Sequence, residues 1–421
     1  MRLTLAYGRE GLEVEVPDDA EVVLPRDRDP VGRPREMVLD AVRNPHSGPR
    51  LAELVRAGQH VVVVFPDITR PMPNQIVLPP ILEELSRLGA GPDEVELLCA
   101  TGLHRAATDE ELLDLTGPEI FGAYRIHQHV ADSSDHKLVG DVDGFPVYLD
   151  SRYVDADVRI CTGFVEPHFF AGYSGGLKAV CPGLALTETI LEAHSTSRVR
   201  DKRATWKQLD GNPVHEFIRS AATLLAPDLL VDVTINRRHE VTAVFAGCYP
   251  ESYLEACAFV DESVTCQVPG RFDVVVSTNG GYPLDRNLYQ AVKGMAAAEQ
   301  VVADGGIIIV AAECRDGVPS NSAFGELVAG RRKPKGEVCG IDRTTRESWQ
   351  VEVLNRILRR AEVWLYSGGL TDAEIHGSGL HPVGDVSTAV VGALKKKGPD
   401  STVCVLPEGP FCVAEPAPVS L

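Results

Sequence analysis

The chain has 421 residues, of which 44% are hydrophobic and 24% are charged. This composition is that of a globular protein, and the length favours two domains of ordinary size. The formal net charge of -19 and the lack of a basic stripe argue against nucleic acid as a partner. The longest apolar runs, 61–65 and 306–310, are too short to cross a bilayer, and residues 1–10 lack the apolar segment of a signal peptide. We therefore expect a cytoplasmic protein that does not enter a membrane.

Apolar strand-like runs recur along the chain, each followed by a turn signal and a helical pattern. Continuous Val and Ile character in two of these runs is typical of strands that are buried on both faces. Strands that alternate with helices predict an α/β fold with largely parallel sheets flanked by helices. The predicted strands are 61–65, 94–100, 158–164, 229–235, 273–278, 306–312, 362–366 and 402–406, and two predicted helices are 76–88 and 251–259.

A domain boundary is predicted at 267–271, where a helical pattern ends and a new strand begins. No internal repeat or low-complexity segment is present. We expect an N-terminal α/β domain, residues 1–268, and a C-terminal α/β domain, residues 269–421, with the active site in the cleft between them.

Polar loops follow four of the predicted strands at their carboxyl ends, which is where α/β proteins place functional residues. The loops are 67–70, 101–104, the segment around His168, and 279–285. We expect all four to lie at one sheet edge. A simpler interpretation remains open for the first loop, because Asp67 and Thr69 are also residue types that begin a helix.

The most informative segment runs from 166 to 183 and surrounds Lys178. Its glycines let backbone approach a ligand closely, where a Cβ would clash; they are Gly172, Gly175, Gly176 and Gly183. A lysine held in such a loop is a phosphate clamp or a covalent attachment point. His168 lies ten residues before Lys178 and His194 lies sixteen residues after it, which suggests acid/base or metal chemistry.

These motifs resemble the lactate racemase family over nearly the whole chain, from Asp67 to Trp349. The most specific part of the resemblance is the ordered set Asp67-x-x-Arg70, His104, His168, Lys178, His194 and Tyr289-Gln290-x-x-Lys293. The resemblance implies an isomerase, either a 2-hydroxy acid racemase or a sugar-acid 2-epimerase. It also implies a nickel-pincer nucleotide as cofactor, nickel pyridinium-3-thioamide-5-thiocarboxylic acid mononucleotide, and separate maturation enzymes as partners.

The resemblance further implies a role for each residue of the set. Lys178 is expected to bind the cofactor covalently, and His194 to be the protein-derived nickel ligand, a role for which imidazole is suited. His104 and His168 are expected to flank the substrate as the acid/base pair. The other expected cofactor contacts are Asp67, Gly175 and Gly176, and the expected substrate-binding residues are Arg70, Tyr289, Gln290, Lys293 and Trp349.

A hydride route gives a physical reason for such a cofactor. Removal of the α-proton from a 2-hydroxy acid is difficult, because the carboxylate is already negative and the carbanion gains little stabilisation. If one histidine instead accepts the hydroxyl proton while hydride moves from Cα to the cofactor, a planar 2-keto acid results. This intermediate accepts hydride on either face, and a histidine on each side serves both enantiomers.

Other histidines and the cysteines are interpreted as structural. His215 is assigned to the start of a helix, and His127 and His129, although spaced to face one way on a strand, are assigned to a solvated or core pair. None of the ten cysteines forms a Cys-x-x-Cys pair, which argues against a zinc ribbon or an iron–sulfur site.

Two other functions stay open. One is a non-catalytic protein that binds an organic acid or a nucleotide on the same fold, against which the complete set of lysine and histidines argues. The other is a zinc-dependent hydrolase, which ranks last because the sequence lacks a His-x-x-x-His or His-Glu-x-x-His helix. The expected ligand is a small 2-hydroxy acid, with lactate, malate, an aromatic acid and a sugar acid as alternatives, and a homo-oligomer is left open.

Overall fold

The computed structural model describes residues 1–319, 322–330 and 344–417. The chain forms two compact units, one of residues 27–194 and 202–262, called the lysine unit here, and one of residues 1–26, 195–201 and 263–421, called the second unit. Each unit is built on a largely parallel sheet with flanking helices. The predicted α/β fold with largely parallel sheets is confirmed.

The described residues form twenty β-strands and fifteen α-helices. The strands are β1 (Arg2–Leu5), β2 (Leu12–Glu15), β3 (Glu21–Val22), β4 (Val61–Pro66), β5 (Val95–Ala100), β6 (Arg125–Gln128), β7 (His136–Val142), β8 (Phe145–Asp150), β9 (Val158–Phe164), β10 (Pro167–His168), β11 (Gly172–Tyr173), β12 (Leu229–Ile235), β13 (Val241–Gly247), β14 (Thr265–Val268), β15 (Phe272–Thr278), β16 (Val302–Ala311), β17 (Glu362–Tyr366), β18 (His381–Pro382), β19 (Val403–Leu406) and β20 (Val413–Pro416).

The helices are α1 (Pro34–Arg43), α2 (Leu51–Leu54), α3 (Asn74–Arg87), α4 (Asp109–Thr116), α5 (Pro118–Ala123), α6 (Ser151–Asp155), α7 (Thr187–Ala193), α8 (Thr196–Arg200), α9 (Pro213–Thr223), α10 (Glu251–Val264), α11 (Leu288–Glu299), α12 (Ala323–Gly330), α13 (Ser348–Arg360), α14 (Asp372–Gly377) and α15 (Val386–Lys397). Short 3-10 helices span Gly176–Ala179 and Gly409–Phe411. Within the described part of the chain, no helix is both long and apolar enough to cross a membrane.

The sheet of the lysine unit has the strand order β13-β12-β9-β4-β5-β6. Its strands are parallel except β13, which pairs with β12 in the antiparallel direction. Residues 61–65 of the central β4 are all buried, as expected of a strand in a sheet that is covered on both faces. The apolar sides of α1 and α3 pack on the core of this sheet through residues such as Val38 and Ile81.

The sheet of the second unit has the strand order β18-β17-β16-β15-β19-β3, and all of its strands are parallel. Helix α15 and the β1–β2 hairpin pack on its core through residues such as Val390, Leu5 and Val14. All eight strands predicted from apolar runs are present, with four in each sheet.

The two units differ from the predicted division at 268/269, which assigned residues 1–26 to the first domain. These residues belong to the second unit because β3 adds to its sheet beside β19, with Val22 opposite Val405. Residues 195–201 also belong to it, and Arg200 forms an ion pair with Glu352 of α13, 2.6 Å between Nε and Oε2. Short strands and a single helical turn carry too little sequence periodicity to predict such pairings.

Two helical glycines of the second unit should respond to alanine in opposite ways. A Cβ at Gly294 of α11 would overlap the carbonyl oxygen of Thr278, whereas a Cβ at Gly392 of α15 would be 3.7 Å from the nearest atom, in Trp364. Alanine favours a helix by about 1 kcal/mol over glycine, but overpacking costs about 1–3 kcal/mol. We expect thermal unfolding to occur at a lower temperature in Gly294→Ala and at an unchanged or higher temperature in Gly392→Ala. Stabilisation by both substitutions would contradict the packing of α11 on β15.

Candidate functional site

The loop after β4 is organised around the buried carboxylate of Asp67. Asp67 Oδ1 accepts hydrogen bonds from the backbone N–H and the hydroxyl of Thr69, at 3.2 Å and 2.6 Å, and Asp67 Oδ2 lies 2.8 Å from Nδ1 of His104. Burial alone would raise the pKa of Asp67, but the hydrogen bond and charge of His104, with help from Thr69 and Arg70, hold this pKa below its usual value. The interpretation that Asp67 and Thr69 begin a helix is wrong, since α3 begins at Asn74.

The Asp67 carboxylate determines the tautomer that His104 has when its ring is neutral. An ionised carboxylate only accepts hydrogen bonds, so His104 Nδ1 carries the proton of the neutral ring and donates it to Asp67. Nε2 of His104 then has the lone pair that can accept a proton. The side chain is half exposed, at 51%, so a substrate can reach it. The pair has the orientation of a general base and the carboxylate that positions it.

His168 is held differently, in the small β10–β11 hairpin. Its Nδ1 accepts a hydrogen bond from the backbone N–H of Ala171 at 3.2 Å, and its ring stacks on Phe169 and meets the edge of Phe170. The proton of the neutral ring is therefore on Nε2, which can donate a hydrogen bond to a substrate oxygen. Before Nε2 can accept a proton, the ring must release the Ala171 hydrogen bond. The two predicted acid/base histidines thus have opposite tautomers.

Arg70 joins the loop of Asp67 to the loop of His168. Its guanidinium lies 3.6 Å from the carboxylate of Glu166, measured from Nη1 to Oε1. Glu166 is itself held by its backbone N–H, which donates to the hydroxyl of Ser174 at 3.1 Å. Both side chains are about one-third exposed, so Arg70 keeps a solvent-facing cation beside the histidines.

Lys178 lies in the 3-10 helix Gly176–Ala179, two residues after the second of two glycines with positive φ. Gly175 has φ of 75° and Gly176 has φ of 53°, and a Cβ at Gly176 would be 2.5 Å from the ring of Tyr253. The loop therefore needs glycine at both positions for its own conformation and packing. Gly172 and Gly183 are needed for the same reason, since a Cβ at either would overlap a protein carbonyl oxygen.

His194 is the residue that follows α7, and it is buried. Its Nδ1 lies 2.8 Å from the carbonyl oxygen of Ile190, which can only accept, so Nδ1 carries the proton and Nε2 has the lone pair. Burial, reinforced by the charge of Lys178 and opposed by the Ile190 hydrogen bond, lowers the pKa of His194 to about 4. Phe170 contacts the rings of both His168 and His194, with centroids 4.5 Å and 5.5 Å away. A neutral imidazole oriented by a backbone carbonyl is the usual state of a metal ligand.

Three other histidines of the lysine unit contact protein groups in ways that indicate structural roles. His215 is in the first turn of α9, where the Asn212 side chain caps the helix, and its ring is parallel to that of Tyr253 at 6.4 Å. His129 is buried, with Nε2 3.0 Å from the carbonyl oxygen of Ala185, which makes it a core histidine. His127 lies in β6, 3.8 Å from Glu96. Across the described ranges, no three His, Cys, Asp or Glu side chains are grouped so as to hold a metal ion.

The predicted substrate residues of the second unit are brought together by α11 and α13. Trp349 donates from Nε1 to the hydroxyl of Tyr289 at 3.2 Å, which joins two positions sixty residues apart in sequence. Gln290 and Lys293 share α11 with Tyr289, and Lys293 is one turn further along it. The loop 279–285 follows β15 of this unit, so the prediction that four loops share one sheet edge is wrong. Three of them belong to the sheet of the lysine unit, and β15 belongs to a second sheet.

Asp232 is a residue near this site that the sequence interpretation missed. It lies within β12, where its neighbours are apolar, and it is 1% exposed. Its Oδ1 accepts a hydrogen bond from the backbone N–H of Gly176 at 3.0 Å, and its Oδ2 has no partner in the described residues. Burial, partly offset by the Gly176 hydrogen bond, raises the pKa of Asp232 to about 7. The sequence signal was a single carboxylate in a strand that is otherwise hydrophobic.

The raised pKa of Asp232 predicts a pH-dependent stability. The folded state binds this proton more tightly than the unfolded state, so the contribution of Asp232 to stability is largest at low pH and falls as pH rises towards about 7. Asparagine does not titrate. The stability of the wild type relative to Asp232→Asn should therefore fall between about pH 4 and about pH 7 and level off above that range. Urea unfolding of both proteins across this range measures the difference, and a difference independent of pH would contradict the assignment.

Over most of its length the chain is similar to known proteins. Residues 7–207 match the family model of the lactate racemase N-terminal domain, and residues 268–413 match that of the lactate racemase C-terminal domain. A lactate racemase of Thermoanaerobacterium thermosaccharolyticum is 31% identical over 418 residues, 97% of each chain, and one of Lactiplantibacillus plantarum is 34% identical over 385 residues, 89% of each chain.

Solved structures show the same similarity. The lactate racemase apoprotein of Thermoanaerobacterium thermosaccharolyticum superimposes with a TM-score of 0.91 at 30% identity, over 99% of this chain and 100% of the other. A protein of Thermotoga maritima has a TM-score of 0.67 at 19% identity, over 94% of this chain and 100% of the other, and shares the fold.

Proposed function

The chain belongs to the lactate racemase family, and from this premise we propose that it interconverts the enantiomers of a 2-hydroxy acid. Family membership makes it an isomerase of the racemase class that acts on a small molecule. The observation that carries the finer proposal is the Asp67–His104 pair, because it leaves a lone pair on Nε2 of a half-exposed side chain, which can accept a hydroxyl proton. The names of the relatives place lactate first among the candidate substrates.

The residues present fit the proposed nickel-pincer nucleotide. His194 is neutral at physiological pH and its hydrogen bond to Ile190 leaves the lone pair of the ring on Nε2, the tautomer that a single protein-derived ligand requires. Lys178 is close enough to His194 for its charge to lower the pKa of that histidine. Lys178 would hold the cofactor covalently and His194 would complete the coordination of its nickel. When bound, the cofactor would supply a reversible acceptor for hydride from the substrate Cα.

The protein residues would move the proton and hold the substrate. His104 would accept the hydroxyl proton of one enantiomer at Nε2, while Asp67 stabilises the imidazolium that results. His168 would serve the opposite enantiomer. Arg70, which now faces Glu166, would pair with the substrate carboxylate, and a bidentate guanidinium contact suits that geometry. Substrate contacts are also proposed for Tyr289, Gln290, Lys293 and Trp349, and cofactor contacts for Asp67, Gly175 and Gly176.

The alternative function is a non-catalytic binder of organic acids or nucleotides. The Asp67–His104 pair disfavours it, since a binding protein has no need of a positioned base. Incubation of the cofactor-loaded protein with a panel of chiral 2-hydroxy acids, followed by chiral chromatography, separates the two functions. Loss of optical purity in at least one acid supports the racemase, and sugar acids in the panel test the epimerase form of the proposal.

Lys178 and His194 should have separable roles in holding the cofactor. After co-expression with the maturation enzymes, intact-mass analysis should show an adduct on the wild type that is absent from Lys178→Ala. His194→Ala should keep the adduct but lose most of its nickel, measured by elemental analysis, because the other nickel ligands belong to the cofactor. His215→Ala is the matched control, since His215 is also buried and also responds to the charge of Lys178.

The control variant should keep both adduct and nickel. An adduct that persists in Lys178→Ala would overturn the attachment site. Wild-type nickel content in His194→Ala, or loss of nickel in His215→Ala alone, would move the metal ligand to a different histidine.

The proposed service of one enantiomer by each histidine predicts different defects in the two variants. His104→Ala and His168→Ala should each slow racemisation by about 10²-fold or more, the usual range for loss of general acid/base catalysis. Single-turnover formation of the 2-keto acid from each pure enantiomer should fail with one enantiomer in His104→Ala and with the other in His168→Ala. Asp67→Asn should slow only the enantiomer that depends on His104.

Equal activity of the His104 and His168 variants from both enantiomers would show that neither histidine is the base. An Asp67→Asn defect of the same size for both enantiomers would contradict the pairing of Asp67 with one histidine.

A further inference from the structure

Asp232 occupies a special place in the sheet of the lysine unit. It is in the middle of β12, where its lateral neighbours are Gly163 of β9 and Phe245 of β13. A Cβ at Gly163 would overlap Asp232 Oδ1, and a Cβ at Gly175 would be 3.0 Å from the same oxygen. Gly176 donates its N–H to that oxygen. Three glycines therefore surround one carboxylate oxygen, and the loop that carries Lys178 rests directly on it.

The second carboxylate oxygen shows that the stability of the fold does not by itself explain an aspartate at position 232. Oδ2 is buried and has no hydrogen-bond partner among the described side chains and backbone. A buried polar atom without a partner costs free energy, and a buried unpaired charge costs more. An apolar residue of similar size would avoid this cost in a strand whose neighbouring positions are apolar. Core packing therefore does not explain why this position of β12 holds a polar residue.

The hydrogen bond from Gly176 supplies that reason. Gly176 is the first residue of the 3-10 helix that contains Lys178, and the backbone N–H of Lys178 donates to the carbonyl oxygen of Gly175 at 3.2 Å. Gly175 and Gly176 both have positive φ. Glycine adopts positive and negative φ about equally readily, so the two residues do not select this conformation by themselves. An external acceptor at Asp232 selects one conformation and so fixes where the helix that carries Lys178 begins.

We infer that Asp232 is a positioning residue, which holds the Gly175–Gly176 turn on β12 so that Lys178 is presented for attachment of the cofactor. This inference rests on the proposed role of Lys178 as the attachment point. Asp232 acts through the backbone of Gly176 and touches neither substrate nor cofactor in this account. The interaction requires an acceptor oxygen, so asparagine should replace aspartate and alanine should not.

Hydrogen exchange of the protein without cofactor tests the positioning directly. In Asp232→Ala, a peptide that covers residues 172–180 should exchange about tenfold faster at the Gly176 amide, the factor expected when one hydrogen bond is lost. Asp232→Asn should exchange at close to the wild-type rate. Glu84→Ala is the control, because Glu84 is also a buried carboxylate of the lysine unit, but its partners are Arg43 and Arg87 on α1 and α3. It should lower the unfolding temperature without a local change at 172–180.

Cofactor loading gives the second readout. After co-expression with the maturation enzymes, Asp232→Ala should carry the Lys178 adduct at a several-fold lower fraction than the wild type, and Asp232→Asn should restore it. If Asp232→Ala does not fold, Gly163→Ala replaces it, because the added Cβ would displace the carboxylate and should loosen the same turn.

Wild-type exchange at Gly176 and wild-type loading in Asp232→Ala would overturn the inference. So would an exchange profile identical to that of Glu84→Ala, since Asp232 would then affect only global stability. Failure of the wild type to form any adduct would instead refute the proposed role of Lys178, and the exchange result would still report whether Asp232 holds the turn.

Discussion

The hydrogen bond from the backbone of Gly176 to the buried carboxylate of Asp232 is the constraint on which the lysine-bearing loop depends. Because Asp232 lies in the middle of β12, the sheet must leave room for it, and Gly163 on the adjacent strand provides that room. The loop must then pass over the carboxylate with two residues in positive φ. Local backbone requirements and a single buried acid together determine where Lys178 lies.

A second level of organisation sets which ring nitrogen carries the proton when each histidine is neutral. Three of them have one ring nitrogen fixed by a nearby group: His104 by the carboxylate of Asp67, His168 by the N–H of Ala171, and His194 by the carbonyl oxygen of Ile190. A carboxylate or carbonyl acceptor leaves Nε2 with a lone pair, whereas an N–H donor leaves Nε2 with a proton. One residue type therefore provides, within one unit, two neutral rings with a lone pair on Nε2 and one with a proton there.

The sequence was sufficient to predict the two sheets, but not the environments of the candidate residues. Continuous apolar runs such as β4 and β16 are strong signals, because strands buried on both faces need them. Short strands such as β3 and isolated polar residues such as Asp232 gave no periodic signal, since their positions depend on tertiary pairing. The sequence also could not predict the tautomers of the histidines, because each depends on a hydrogen-bond partner that only the folded chain places beside the ring.

Retention of a Cα label tests the central claim, that a 2-hydroxy acid is racemised by hydride return from the cofactor to the substrate carbon. Cofactor-loaded protein would be incubated in ordinary water with one enantiomer of lactate deuterated at Cα, and the opposite enantiomer would be isolated and analysed by mass spectrometry. The account predicts that the product keeps most of its deuterium, because the hydride does not exchange with solvent. Replacement of the label by solvent hydrogen as fast as the product forms would contradict it and indicate proton abstraction at carbon.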